Sequence, residues 1–238
     1  MLGDERFLSR KKWRKIISKN KAKIIKETGY HYKPLIKRII DIFQKPSRIF
    51  KPIALYVFVL QKITMIYLVR HGQTDWNLEG RNQGQTDIEL NETGIQQAKD
   101  TATQLLGIKF DAVFSSPLKR ALKTCQIIYP GKIIIDERLK ERCNGELEGK
   151  VNPKGIVNFN DPNETRYGIE PLSFFKDRLK QFWDFILKDY QNKNVLVVTH
   201  AGVGIWTQVY FNGEPENGNY EQYKINSGTI LQFKNNSL

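Results

Sequence analysis

Apolar residues along this chain fall into two kinds of run, short continuous ones and longer ones that recur every three to four positions. Met65 to Val69 (MIYLV) and Asn194 to Val198 (NVLVV) are of the first kind. A strand buried on one face alternates apolar with polar residues, so these unbroken runs of β formers predict parallel strands covered on both faces. Asp111 to Phe114, Lys132 to Ile135 and Thr229 to Phe233 predict three more strands. Of the second kind, NETGIQQAKDTATQLLG predicts a helix capped by Asn91 and ended by Gly107. Ser116 and Pro117 supply an N-cap and a first-turn proline for a helix carrying Leu118, Leu122 and Ile127. Leu172 to Tyr190 predicts a long amphipathic helix through Phe175, Leu179, Phe182, Trp183 and Ile186, and another helix follows Gly202. Arg70 to Leu90 and Asn152 to Pro171 lack either period and predict irregular segments.

Upstream of Met65 the pattern changes. Trp13, Ile16, Ile17, Ile24 and Ile25 form one helical stripe among the lysines between Ser9 and Thr28, and residues 34–44 repeat it through Leu35, Ile36, Ile39, Ile40 and Phe43. Pro46 and Pro52 then mark a linker. The expected organisation is a basic helical extension over residues 1–64 and one domain over 65–238. In that domain strands alternate with helices, which predicts an α/β fold: a three-layer α/β/α sandwich around a mostly parallel central sheet. Ligands of such sheets bind beyond the carboxyl ends of the strands. His71 follows the first strand and His200 the late one, so both imidazoles are expected in one crevice if those strands are neighbours.

Charge sharpens the division. The formal net charge is +13, but residues 1–64 hold 17 Lys and Arg against 4 Asp and Glu, and residues 65–238 hold 21 of each. The excess therefore belongs to the extension and says nothing about the ligand of the domain. Two cysteines, Cys125 and Cys143, make no disulfide framework or zinc pair, which fits a reducing cytoplasm. The apolar run Ile53 to Leu60 is cut by Gln61 and Lys62 and falls short of the roughly 20 residues that span a bilayer. No secretory signal pattern opens the chain. A basic amphipathic segment suits an anionic membrane surface, so a peripheral seat there through residues 1–64 stays open. Nucleic acid is not expected, because aromatic residues for base stacking are sparse in that segment. His31, within it, is read as incidental.

Arg70-His71-Gly72 and Thr199-His200-Ala201-Gly202 supply what phosphoryl transfer needs, namely a nucleophile and fixed positive donors. The segment LVRHGQTDWNLEGRNQGQTDIELNETGIQQA, followed in order by SSPLKRALKT, RLKERCNGELEG and VLVVTHAGV, resembles the histidine phosphatase superfamily, also called phosphoglycerate-mutase-like. The resemblance covers nearly all of residues 65–238. It implies that His71 is transiently phosphorylated and that Arg70, Arg120 and His200 surround the phosphoryl oxygens. It further implies Asn77 as a neutral donor, Gln83 and Gly84 on the substrate side, and Glu141 as the proton donor; from the residues alone, nearby Glu137, Glu146 and Glu148 compete for that last role. No metal or other cofactor is implied.

The same family contains mutases, which return the phosphate to a phosphoglycerate. Arg142 matches one carboxylate-binding position of the mutases, but Asn144 stands where they have an aromatic hydroxyl. The chain also lacks their Arg-Arg pair, and the segment between Gly149 and Leu172 is short. The expected activity is hydrolysis of a small phosphorylated metabolite. A cofactor-dependent phosphoglycerate mutase is the alternative, and so is a non-catalytic module tethered by its basic arm to anionic membrane or RNA. The THAGV block resembles the α-ribazole phosphatase branch, which does not by itself choose a substrate.

Overall fold

The computed structural model describes residues 64–151, 161 and 164–235. The two helices and the linker expected upstream, and most of the irregular stretch after Asn152, lie outside the described residues. The domain is built in the order β1 (Thr64–Arg70), α1 (Asp75–Leu78), α2 (Glu92–Gln104), β2 (Ala112–Ser115), α3 (Lys119–Ile128), β3 (Ile134–Ile135), α4 (Leu172–Asp189), β4 (Asn194–Thr199), α5 (Ala201–Asn212) and β5 (Ile230–Asn235). The strands form one sheet in the order β3-β2-β4-β1-β5. All its pairs are parallel except β1 with β5. Period alone predicts that a last strand exists and not which way it runs.

Unbroken apolar strands need cover on both faces, and alternate residues supply the contacts. Ile66, Leu68, Phe114, Val195 and Val197 face α4 and α5, whose Phe175, Leu179, Phe182, Trp183 and Val203 complete one core. Tyr67, Val69, Val113, Leu196 and Val198 face the other way and pack with Leu105, Ala121 and Cys125 beside α2 and α3. The result is the expected three-layer α/β/α arrangement. Burying a Leu or Phe side chain in such a core contributes roughly 1.5–3 kcal/mol, and edge-to-face contacts such as Phe114 with Phe182, at 5.5 Å between centroids, add to it.

Several boundaries differ from the sequence expectation. A short helix, α1, interrupts the predicted loop at Asp75. It is held by a reciprocal capping box in which Thr74 and Asn77 exchange side-chain and backbone bonds. The helix after Ser116-Pro117 starts later, at Lys119. Ser116 Oγ accepts the Leu118 N–H at 3.3 Å, but the Lys119 N–H is taken by Asp87 Oδ1 at 2.7 Å, a cap delivered from a distant loop. Strand β3 has two residues, at the sheet's edge, where no second neighbour extends the pairing.

Candidate active site

Strands β1 and β4 lie side by side in register, Arg70 opposite Thr199, so the residues that follow them emerge together. The His71 N–H continues the ladder by bonding Thr199 O at 2.9 Å. Beyond it the chain turns under α2, and this turn tolerates no side chain. A Cβ on Gly72 would lie 2.3 Å from Gly94 O, and one on Gly94 would lie 2.0 Å from Gln73 O. From the other side Thr124, on α3, accepts the Gly72 N–H at 3.1 Å and donates to Arg120 O at 2.7 Å. The turn that carries His71 is thus clamped between two helices.

His71 and His200 meet edge to face, with ring centroids 5.2 Å apart. His71 Nδ1 lies 2.7 Å from Gly72 O, which can only accept, so that nitrogen carries the proton. Arg120 Nε–H reaches His71 Nε2 at 3.3 Å, and a donor there needs the ring's lone pair. Both neighbours therefore select one tautomer and leave Nε2 as the nucleophilic atom. His200 Nε2 lies 2.8 Å from Ser116 Oγ. That hydroxyl accepts the Leu118 N–H and can donate its own hydrogen to Nε2, the arrangement that puts the His200 proton on Nδ1. His200 Nδ1 is buried without a hydrogen-bond partner among the described residues, and so is Arg70 Nε. Buried polar atoms without a partner are rare, and two of them in the cluster around His71, one a guanidinium donor, mark a place for an anion.

Arg120 is 1% exposed and its fork is held by main chain: Nη1 donates to Thr86 O at 2.8 Å and Nη2 to Gly84 O at 2.6 Å. Glu148 in turn fixes that loop. Its carboxylate accepts the N–H groups of Gln85 (2.9 Å), Thr86 (2.8 Å) and Asn144 (3.0 Å) and the Thr86 hydroxyl (2.5 Å). Gly84 has φ +50°, and a Cβ there would strike Glu148 Oε1 at 2.0 Å. Arg70 donates Nη1 to Ile225 O at 2.7 Å. Burial lowers the pKa of both arginines, that of Arg120 to about 10, and nearby Glu141 opposes the shift in each. Both histidines are held well below the usual imidazole range, first by burial and then by the charge of Arg120.

Glu141 sits at the amino end of α5, where Oε2 accepts the Gly202 N–H at 2.9 Å, two residues beyond His200. Its Oε1 accepts the Arg142 N–H, also at 2.9 Å. A Cβ on Gly202 would come within 2.4 Å of that carboxylate. Of the competing acids, Glu148 is engaged in the loop just described, Glu137 in a surface pair with Lys140, and Glu146 is exposed. Asn77 commits its Oδ1 to Thr74, at 3.1 Å from both its N–H and its hydroxyl, which leaves the amide nitrogen as a donor. Gln83 is buried with Oε1 unpartnered among the described residues, beside Gly84. Arg142 directs Nε to Glu170 O at 2.7 Å and Nη2 to Glu164 O at 3.4 Å, so these donors serve the protein's own chain. Sequence reasoning missed Ser116 as the partner of His200, Thr86 as an anchor of Arg120, and the Arg178–Glu170 pair behind Glu141. Serines before helices read as caps and charges on helices as solvated faces, so no local signal set them apart. Among the described residues, no group of three or more His, Cys, Asp and Glu could hold a metal ion, and no helix is long and apolar enough to cross a membrane.

A family model described as the histidine phosphatase superfamily, branch 1, matches residues 66–237, and the chain belongs to that superfamily. The uncharacterized phosphatase PhoE of Bacillus subtilis is 36% identical over 159 residues, 65% of this chain and 81% of the relative. The metal-independent phosphoserine phosphatase of Arabidopsis thaliana is 36% identical over 162 residues, 62% of this chain and 68% of its own length. Among solved structures, a phosphoserine phosphatase variant of Entamoeba histolytica in complex with phosphoserine superposes with a TM-score of 0.64 at 31% identity, covering 71% of this chain and 90% of that one. Family and relatives together place the chain among the phosphatases, whose chemistry runs through a histidine.

Proposed function

We propose that this chain hydrolyses phosphate monoesters of small metabolites in two transfers through His71. Nε2 of His71 attacks phosphorus, the bond from phosphorus to the ester oxygen breaks, and Glu141 gives its proton to the departing oxygen. Water then attacks the phosphohistidine and yields its proton to the Glu141 carboxylate, which releases inorganic phosphate and restores the neutral imidazole. Arg70, Arg120, the Nδ1–H of His200 and the Asn77 amide bind the equatorial oxygens, whose charge must be met throughout. Gln83 and Gly84 line the side from which the ester's organic part enters. The reading rests above all on Arg120 Nε against His71 Nε2, with the His200 ring 5.2 Å from that of His71. An anion between them would inherit the donor that now caps the nucleophile.

The test is a screen of phosphorylated metabolites against the wild type and His71→Ala. Phosphate release should depend on His71, with the variant down by a factor of about 10⁴ or more. Exchange of phosphate between phosphoglycerates that requires a bisphosphate primer would instead make the chain a mutase. Turnover that survives the substitution would end the reading.

The same proposal divides the chain into a catalytic domain, residues 65–238, and a basic segment, residues 1–64, that seats on an anionic membrane surface. Liposome sedimentation checks the second part. Binding to phosphatidylserine vesicles should require residues 1–64 and weaken with salt, while phosphatase turnover should not need them. Equal sedimentation with and without the segment would dismiss it.

A further inference from the structure

Residues 138–143 carry Glu141 but have little regular structure of their own, a single 3-10 turn at Glu137–Leu139 followed by irregular chain. A proton donor must be held within hydrogen-bonding reach of the oxygen it serves. No ladder fixes this segment, and side chains do so instead: Gln85 Nε2 donates to Glu141 O at 3.0 Å, Thr199 Oγ1 to Leu139 O at 2.9 Å, and the densest set comes from α4 and its approach. Arg178, on α4, donates Nη1 to Arg138 O at 2.6 Å and to Lys140 O at 2.7 Å, and Nη2 to the carbonyl of Glu141 itself at 3.0 Å. Its other edge meets Glu170, Nε to Oε1 at 2.8 Å and Nη2 to Oε2 at 2.9 Å. Glu170 Oε2 also accepts the Cys143 N–H at 3.1 Å, and the Glu170 N–H returns to Cys143 O at 2.9 Å. The pair therefore grips the main chain on both sides of Glu141. Its side chains are only 19% and 16% exposed, so these charge-assisted bonds are shielded from the screening that makes surface pairs weak.

We propose that the Arg178–Glu170 pair is a positioning device for Glu141, acting on protonation of the leaving oxygen and not on capture of the phosphoryl group. The proposal rests on the reading of Glu141 as proton donor. In the first transfer the bond between His71 Nε2 and phosphorus forms, the bond to the ester oxygen breaks, and the Glu141 proton passes to that oxygen. An ester whose leaving group is a weak acid depends on that proton. One whose leaving group is a strong enough acid departs as an anion without it. Loss of positioning must therefore appear as selectivity between leaving groups.

The test compares kcat/KM for phenyl phosphate and 2,4-dinitrophenyl phosphate in the full chain, since this ratio reports steps up to the first transfer. Glu141→Gln sets the reference and should lose about 10²-fold or more on phenyl phosphate with little loss on the dinitrophenyl ester. Arg178→Lys keeps the charge that His200 feels, but one ammonium cannot span three carbonyls and a carboxylate. It should lose about tenfold on phenyl phosphate and less than about twofold on the dinitrophenyl ester. Should that variant not fold, Glu170→Gln carries the same criterion. Equal losses on both esters, with Glu141→Gln still selective, would overturn the positioning role and leave the assignment of Glu141 intact. If Glu141→Gln is itself unselective, that assignment fails and the positioning role falls with it.

Discussion

The two ring nitrogens of His71 have opposite duties, and the neighbours that enforce them differ in kind. A carbonyl of its own turn, Gly72 O, fixes the protonated nitrogen, whereas a side-chain donor, Arg120 Nε–H, covers the reactive one. The first contact can persist through a reaction and the second must be exchanged for a phosphoryl oxygen. Arg120 is suited to that exchange because its fork stays fixed to Gly84 O and Thr86 O while the Nε–H changes partner. A lysine has no such division of labour. Its single nitrogen cannot hold two carbonyls and face an anion, and in a seat that lowers even a guanidinium's pKa to about 10 its ammonium would surrender its proton far more readily. Arg120→Lys should thus lower kcat/KM by about 10²–10³, the usual effect of removing one donor to a developing anion. Steady-state kinetics at pH 7 with a melting curve of each protein checks this. A variant within about threefold of wild type would show that the fork is dispensable.

At the scale of elements, what could be read from the sequence was what local physics specifies. Unbroken apolar runs announced β1 and β4, and the polar residues just past their ends, His71 and His200, were legible as site residues because parallel strands present their ligands there. The helix through Trp183 was legible because its stripe repeats over 18 residues. Features set by distant partners were not legible. The start of α3 depends on Asp87, 32 residues away, and the four residues of α1 are too few to show a period. The pairing of Arg178 with Glu170 has no local signature, since an acid and a base eight positions apart near a helix start read as two surface charges. The direction of β5 follows from its place beside β1 at the sheet's edge, which no periodicity encodes. Arg120 and Glu141 were found through resemblance and not through pattern, as helix and loop charges carry no mark of what they face.

For the molecule as a whole, the buried site imposes a cost that depends on pH. His71 and His200 are enclosed by both layers of helices, and burial, Arg120 and Arg70 all disfavour their charged forms, with Arg178 adding to this at His200. Below the unfolded imidazole pKa of about 6.5, the unfolded chain takes up protons that the native state refuses. Stability contributed by these two groups is therefore complete above that pH and lost as pH falls through it. The limiting slope is about 1.4 kcal/mol per pH unit for each histidine, so the pair should remove about 3 kcal/mol between pH 7.5 and pH 5.5. That is a large share of the roughly 5–15 kcal/mol that holds a domain together. Urea unfolding across this range checks it, in buffers free of phosphate, because an anion seated between the rings would favour the imidazolium and reverse the trend. His71→Asn, which cannot titrate, should show about half the wild-type slope. A wild-type stability that stays level from pH 7.5 to pH 5.5 would mean that the rings accept protons inside the fold, and a neutral nucleophile could then not be taken as the resting state near pH 6.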